Sequence, residues 1–413
     1  MLARLGVYSA VLSFSLILGS QPGEAADDWT QWRGAKRDGK VAGTAWPESL
    51  EHLSKKWSVK LGPSYSGPIV VGDRVFTTAT EEKKFEVVKC LRRDTGEEIW
   101  SASWEGAMRV PFFAARNGSW IRATPAYSDG RLYVGGMRDV LVCLDASNGN
   151  IIWKKDFVAE LKTSLPSFGF ASSPMIEGGH VFVQAGGALT KLDKVTGEIV
   201  WQSLKDGGGM SGGAFSSPMS TKLAGQHQLV VQTRTRLAGV DPESGKELWS
   251  QKVPAFRGMN ILTPCVWNNA VFTSSYGGKS FRYEVTQKDG TFDVGQVWEQ
   301  KSQGYMSSPV IIDGHVYLHL RNQRFTCINL NTGKETWTTK PYGKYWSLIA
   351  NGNRILALDE RGELLLIKAN PEEFELQDSK KISDEQTWAH LGISGNEIFI
   401  REQDAMTTLN WAQ

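Results

Sequence analysis

The sequence predicts an all-β fold: a closed, eight-bladed β-propeller of four-stranded antiparallel blades. Three observations carry that prediction. A Trp recurs behind a Gly-centred turn at a near-constant interval. A Pro-started pair of apolar segments recurs once per interval. The composition, with 16 Trp and 43 Gly in 413 residues, suits many short strands joined by tight turns.

The Trp element reads RDTGEEIW to Trp100, ASNGNIIW to Trp153, KVTGEIVW to Trp201, PESGKELW to Trp249 and LNTGKETW to Trp337. Four residues before each Gly stand Asp145, Asp193, Asp241 and Asn329, with Arg92 as the exception. Trp298 ends a looser copy and Trp57 opens the series. From Trp57 to Trp337 the steps are 43, 53, 48, 48, 49 and 39 residues, the period of a four-stranded blade. Regular spacing makes these seven Trp blade-docking core residues rather than a cofactor-stacking set.

The second element is a small residue, Pro, an apolar strand, a polar turn and another apolar strand. SGPIVVGDRVF begins at Ser66, ATPAYSDGRLYV at Ala123, SSPMIEGGHVFV at Ser172, SSPMSTKLAGQHQLVV at Ser216, LTPCVWNNAVFT at Leu262 and SSPVIIDGHVYL at Ser307. Degenerate copies begin at Ser347 and Ala389, which makes eight. Alternating residues predict half-buried strands, and Gly with Asp or Asn supplies their hairpin turns. The last copy ends after a third strand at MTTLNW, while the strand around Trp57 has no blade of its own. The N-terminal strand is therefore expected to complete the last blade and close the ring, leaving no exposed sheet edge.

Residues 1–25 read as a signal peptide: Arg4, an apolar run from Val7 to Leu18, then small Gly23 and Ala25 before a cleavage point. Twelve apolar residues fall short of the roughly 20 that span a bilayer. The expected division is a signal peptide at 1–25, a lead-in at 26–53 and the propeller at 54–413. Export to the periplasm or beyond, without a lipid anchor or transmembrane segment, is expected. A net charge of +2, evenly mixed, argues against nucleic acid as a partner. Cys90, Cys143 and Cys327 occupy equivalent repeat positions and Cys265 follows a strand-opening Pro. They read as buried core residues, with disulfides left open.

The repeated Asp-x-x-[Ser/Thr]-Gly-x-x-x-Trp element resembles the PQQ-type propeller repeat, shared by quinoprotein dehydrogenases and by BamB-like assembly factors. The opening WTQWRGAKRDG, with Trp29, Trp32, Arg33 and Gly34, resembles the lead-in of exported PQQ-like propellers. For the dehydrogenases the resemblance implies PQQ and Ca²⁺ in the channel with an Asp as base. Their adjacent Cys pair is missing, because no two Cys lie closer than 53 residues. BamB-like proteins are lipidated on a Cys after the signal, and LILGSQPGEA has none.

Short catalytic look-alikes lack their context. Gly207, Gly209 and Gly212, and the G-x-S-x-G around Ser211, join two strands and open no helix. Gly278-Lys279-Ser280 follows Thr273 where a P-loop needs Gly. His315 and His319 share one strand about 13 Å apart, too far to share a metal. No catalytic or metal-ligating residue is assigned. Binding is expected on the blade-connecting loops, at Arg109, Arg116, Trp120, Arg122, Arg257, Asn260, Tyr305 and Trp346. The expected function is a monomeric, non-catalytic, exported scaffold for an envelope protein or peptide. The alternative is a PQQ- and calcium-dependent oxidoreductase.

Overall fold

The computed structural model describes residues 28–115 and 118–411. The expected signal segment and Arg116 lie outside them. Eight antiparallel sheets succeed one another along the chain, at 69–105, 126–156, 175–203, 219–252, 265–300, 310–338, 346–381 and 392–411. We number them blades 1 to 8. Blade 8 contributes only three strands from its own stretch, and Leu53–Lys60 supplies its fourth, pairing antiparallel with Ala405–Trp411. The predicted eight-bladed ring and its N-terminal closure are both present. Among the described residues one short α-helix, Phe157–Leu161, interrupts the strands.

The strands are not half-buried, as simple alternation suggested. Val140–Asp145 is buried over its first five residues, and Glu363–Lys368 over its middle four. Each inner strand is flanked by a neighbouring blade on both faces, so alternation sends successive side chains to different interfaces. Val140, Val142 and Leu144 join the core between blades 1 and 2, whereas Leu141 and Cys143 join that between blades 2 and 3. Only the outermost strands, such as Ile151–Asp156, face water on one side. The four cysteines are buried and unpaired, because equivalent positions on different blades fall into separate interfaces.

Two hydrogen-bond systems tie blade to blade. Nε1–H of Trp57 donates to Arg93 O (2.9 Å), Trp100 to Ala146 O (3.2 Å), Trp153 to Lys194 O (3.3 Å) and Trp201 to Glu243 O (3.0 Å). Trp298 donates to Leu330 O (2.8 Å) and Trp337 to Asn370 O (2.9 Å). Every acceptor lies in the next blade. Trp249 instead donates to Gln228 Oε1 within its own blade (2.6 Å). Blade 5 replaces the short turn that would receive it with the long hairpin of Ser280–Lys288 and Thr291–Gln300.

The second system encircles the channel. In blades 1 to 5 the residue before the strand-opening Pro donates its N–H to a hydroxyl of the following blade. Gly67 donates to Thr124 (3.1 Å), Thr124 to Ser173 (3.0 Å), Ser173 to Ser217 (2.9 Å), Ser217 to Thr263 (3.0 Å) and Thr263 to Ser308 (3.2 Å). In the degenerate blades the direction reverses, with Trp346 N–H on Ser307 Oγ and Leu391 N–H on Ser347 Oγ. The physical reason is the channel edge of the inner strands, which no strand of another blade covers. Pro removes one N–H from that edge, and the neighbouring hydroxyl satisfies the one before it.

Candidate functional site at the channel mouth

The connections between blades, and the loops between second and third strands, share one face, here the linker face. The remaining hairpins form the opposite turn face. The segment 28–41 enters the channel from the turn face. Gly72 N–H donates to Asp28 Oδ1 (2.9 Å), Trp29 pairs with Val70 on the inner strand of blade 1, and Tyr127 N–H of blade 2 donates to Thr30 O (2.8 Å). Arg33 Nη2 reaches Pro309 O of blade 6 (2.5 Å), and Arg37 reaches Pro174 O (2.7 Å) and Ser173 O (2.9 Å) of blade 3. Lys40–Val41 then runs parallel to the inner strand of blade 7.

Arg33 and Arg37 are 0% and 2% exposed, and their guanidinium carbons lie 5.5 Å from the Trp32 ring. Desolvation, reinforced by Arg33, lowers Arg37 to about 9. Trp32 stands edge-on to His390 at 5.4 Å. Burial, then Arg33, holds that imidazole well below its usual range, so it is neutral.

These residues do not fit PQQ with a calcium ion. The segment inserted in the channel carries two buried guanidiniums, whereas a calcium ion needs carboxylates. Among the described residues no group of three His, Cys, Asp or Glu side chains could hold a metal. On the turn face, Ser220, His227 and Glu177 converge, with Ser220 Oγ 2.6 Å from Glu177 Oε1. The same His227 Nε2 faces both the hydroxyl (2.7 Å) and the carboxylate (3.1 Å). An imidazole used on one nitrogen by both partners does not make a nucleophile–base–orienter relay.

The linker face is different. Two residues before the bonded belt position stand Tyr65, Arg122, Ala171, Phe215, Ile261, Met306, Tyr345 and Trp388, one from each blade, and all retain solvent exposure. The residues one position later, from Ser66 to Ala389, are all buried. A collar of eight side chains therefore rims the mouth. Over blades 5 to 8 and 1 it becomes continuous with Tyr276 and Tyr305. Ring centroids step 4.9 Å from Tyr276 to Tyr305, 5.8 Å to Tyr345, 4.3 Å to Trp388 and 5.6 Å to Tyr65. Arg321 caps one end at 4.3 Å from the Tyr276 ring, and Arg122 the other at 5.8 Å from Tyr65. Across the mouth, Phe113, Phe168 and Phe215 form a second arc with Arg234 4.5 Å from Phe215.

Burial pushes the Tyr65 and Tyr345 phenols up to about 12 and raises Tyr305. All three are neutral hydrogen-bond donors at ordinary pH. Desolvation lowers Arg122 to about 10, still charged. Neutral phenols and guanidiniums can donate hydrogen bonds, and the π faces can stack.

The sequence-predicted residues scatter. Tyr305 and Arg122 belong to the arc, with Arg122 Nε donating to Trp120 O (3.4 Å). Trp120 is half-buried with Nε1 unpartnered, and Arg109 is exposed on the same linker. Arg257 is exposed over Phe256 (5.1 Å), held at φ 50°. Asn260 is buried, its amide donating to Arg234 O and Val253 O (both 3.0 Å). Trp346 is 3% exposed and packs in the core against His319 (4.8 Å) and Phe325 (4.9 Å). Tyr65, Tyr276, Arg321 and Trp388 were missed. Extending the eight aligned Pro-type repeats by one residue upstream would have found Tyr65 and Trp388.

A family model described as the outer membrane protein assembly factor BamB matches residues 83–339. The BamB of Yersinia pestis is 23% identical over 300 residues, 69% of this chain and 70% of that protein. A polyvinylalcohol dehydrogenase of Sphingopyxis sp. is 29% identical over 197 residues, 43% of this chain but 28% of that protein. The crystal structure of BamB from Moraxella catarrhalis matches with a TM-score of 0.63 at 15% identity, covering 87% of this chain and 98% of that one. With more than half its length matched by that model, the chain belongs to the PQQ-like β-propeller family described by the outer membrane protein assembly factor BamB.

Proposed function

We propose that this protein is an exported, non-catalytic scaffold that binds a protein partner in the cell envelope through its linker face. The observation that carries the reading is the collar: one partly exposed side chain per blade, rich in Tyr, Trp and Phe, with Arg at its edges. A rigid ring presenting aromatic and guanidinium groups at the centre of a face has the composition of an interface hot spot. The family match supports an assembly role, since BamB is named for outer membrane protein assembly.

A photo-crosslinking residue at Tyr305 should trap a defined envelope protein. The same residue at Asp313, on the turn face, should not. No product from Tyr305, or identical products from both, overturns the reading. Saturable one-to-one binding of PQQ with Ca²⁺ in a calorimetric titration would also overturn it, in favour of an oxidoreductase.

A further inference from the structure

The aromatic arc ends in a polar cleft between blades 5 and 6. The cleft, about 550 Å³ in volume, is lined by Lys301, Gln303, Arg321 and Glu335 among others. That volume lies within the range of ordinary ligand sites. Glu335 is engaged: Thr338 Oγ1 donates to it at 2.6 Å, and Ser302 Oγ donates to it as well. Lys301 and Arg321 form no ion pair among the described residues, whereas Arg236, Arg282, Arg354 and Arg361 do. Arg321 instead lies over Tyr276 and donates to its hydroxyl (3.3 Å). The cleft thus offers two cations against one occupied carboxylate, directly beside a wall of rings.

The wall is curved: neighbouring planes from Tyr276 to Trp388 tilt by 37–40°. A curved wall lets successive side chains lodge separately, which suits an extended chain better than a flat sugar. An extended segment advances roughly 3.3 Å per residue, so about six residues would follow the arc from the cleft to Tyr65. We infer that this surface receives an extended peptide segment of a partner protein, its acidic side chain in the Lys301–Arg321 cleft and its aromatic or aliphatic side chains along the arc. The inference rests on the protein-binding reading and names the chemistry of the segment.

The test is calorimetric titration of the purified protein with a capped six-residue peptide carrying Glu first and Phe third and fifth. A second peptide has Lys in place of Glu, and an N-acetylglucosamine oligomer is the third probe. The Glu peptide should bind at least tenfold more tightly than the Lys peptide. Arg321→Glu should reverse that order, Tyr345→Ala should weaken both, and Lys222→Glu on the turn face should change neither; circular dichroism checks that each variant folds. Equal binding of the two peptides, no reversal in Arg321→Glu, or binding of the oligomer alone overturns the inference. If peptides fail while crosslinking at Tyr305 still traps a protein, this inference falls and the partner-binding reading stands.

Discussion

Replacing Gly96 by Ala tests the docking that closes the ring. Gly96 sits in the third hairpin of blade 1 at φ 78°, and Trp57 of the closing strand lies on it. An added Cβ would meet Trp57 Cε3 at 2.6 Å, Cδ2 at 2.8 Å and Val59 Cγ1 at 3.0 Å. Gly290 is the matched control: the same hairpin of blade 5, φ 77°, and nothing within 4 Å of its Cβ position. Both substitutions carry the left-handed strain, about 1–2 kcal/mol. Only Gly96→Ala adds overlap with a packed ring, about 1–3 kcal/mol more. Expected losses are therefore about 1–2 kcal/mol for Gly290→Ala and about 2–5 kcal/mol for Gly96→Ala. Guanidinium chloride unfolding followed by far-UV circular dichroism measures both. Equal midpoints for the two variants would refute the claim that this Trp–Gly contact holds the ring shut.

Other outcomes follow from the same structure. Ser173→Ala removes the hydroxyl that accepts Thr124 N–H and leaves a buried donor, costing about 1–3 kcal/mol in the same assay; a neutral result would mean the hydroxyl belt is incidental. Stability should also fall as pH rises from about 5 to 7. Burial raises Glu86 to about 7 despite the N–H donors of Met137 and Trp104, and raises Asp139 to about 7 despite Gly186 N–H. Their folded pKa values exceed the unfolded ones, so between these limits the folded state keeps protons that the unfolded chain has lost. The stability contribution is present at the acid end and lost as pH rises through about 7. For Glu86 the full change is on the order of 3 kcal/mol. Glu86→Gln should flatten this part of the pH–stability profile, and an unchanged slope would show that Glu86 does not titrate there.

The architecture was legible because a repeat imposes its own phase. Trp spacing and the Pro-started strands implied eight blades, and the unpaired strand at Trp57 implied the closure. The site was less legible because a one-residue step decides exposure. Tyr345 reaches the mouth while Trp346 turns into the core, and the two are equally aromatic in the sequence. Asn260 was visible as a loop polar residue, but only the fold brings Arg234 O and Val253 O to its amide. Trp249 shares the motif of its siblings, yet the long hairpin of blade 5 denies it the usual carbonyl.

The chain alone determined local periodicities: strand length, turn chemistry and the count of repeats, all of which depend on near neighbours. Tertiary structure decided what depends on distant ones. Arg33 and Arg37 bond to carbonyls 276 and 136–137 residues away, and a contact across the channel leaves no periodic trace. The aromatic arc likewise exists only after the ring closes, because each blade supplies a ring or two and closure brings them within 4.3–5.8 Å of one another.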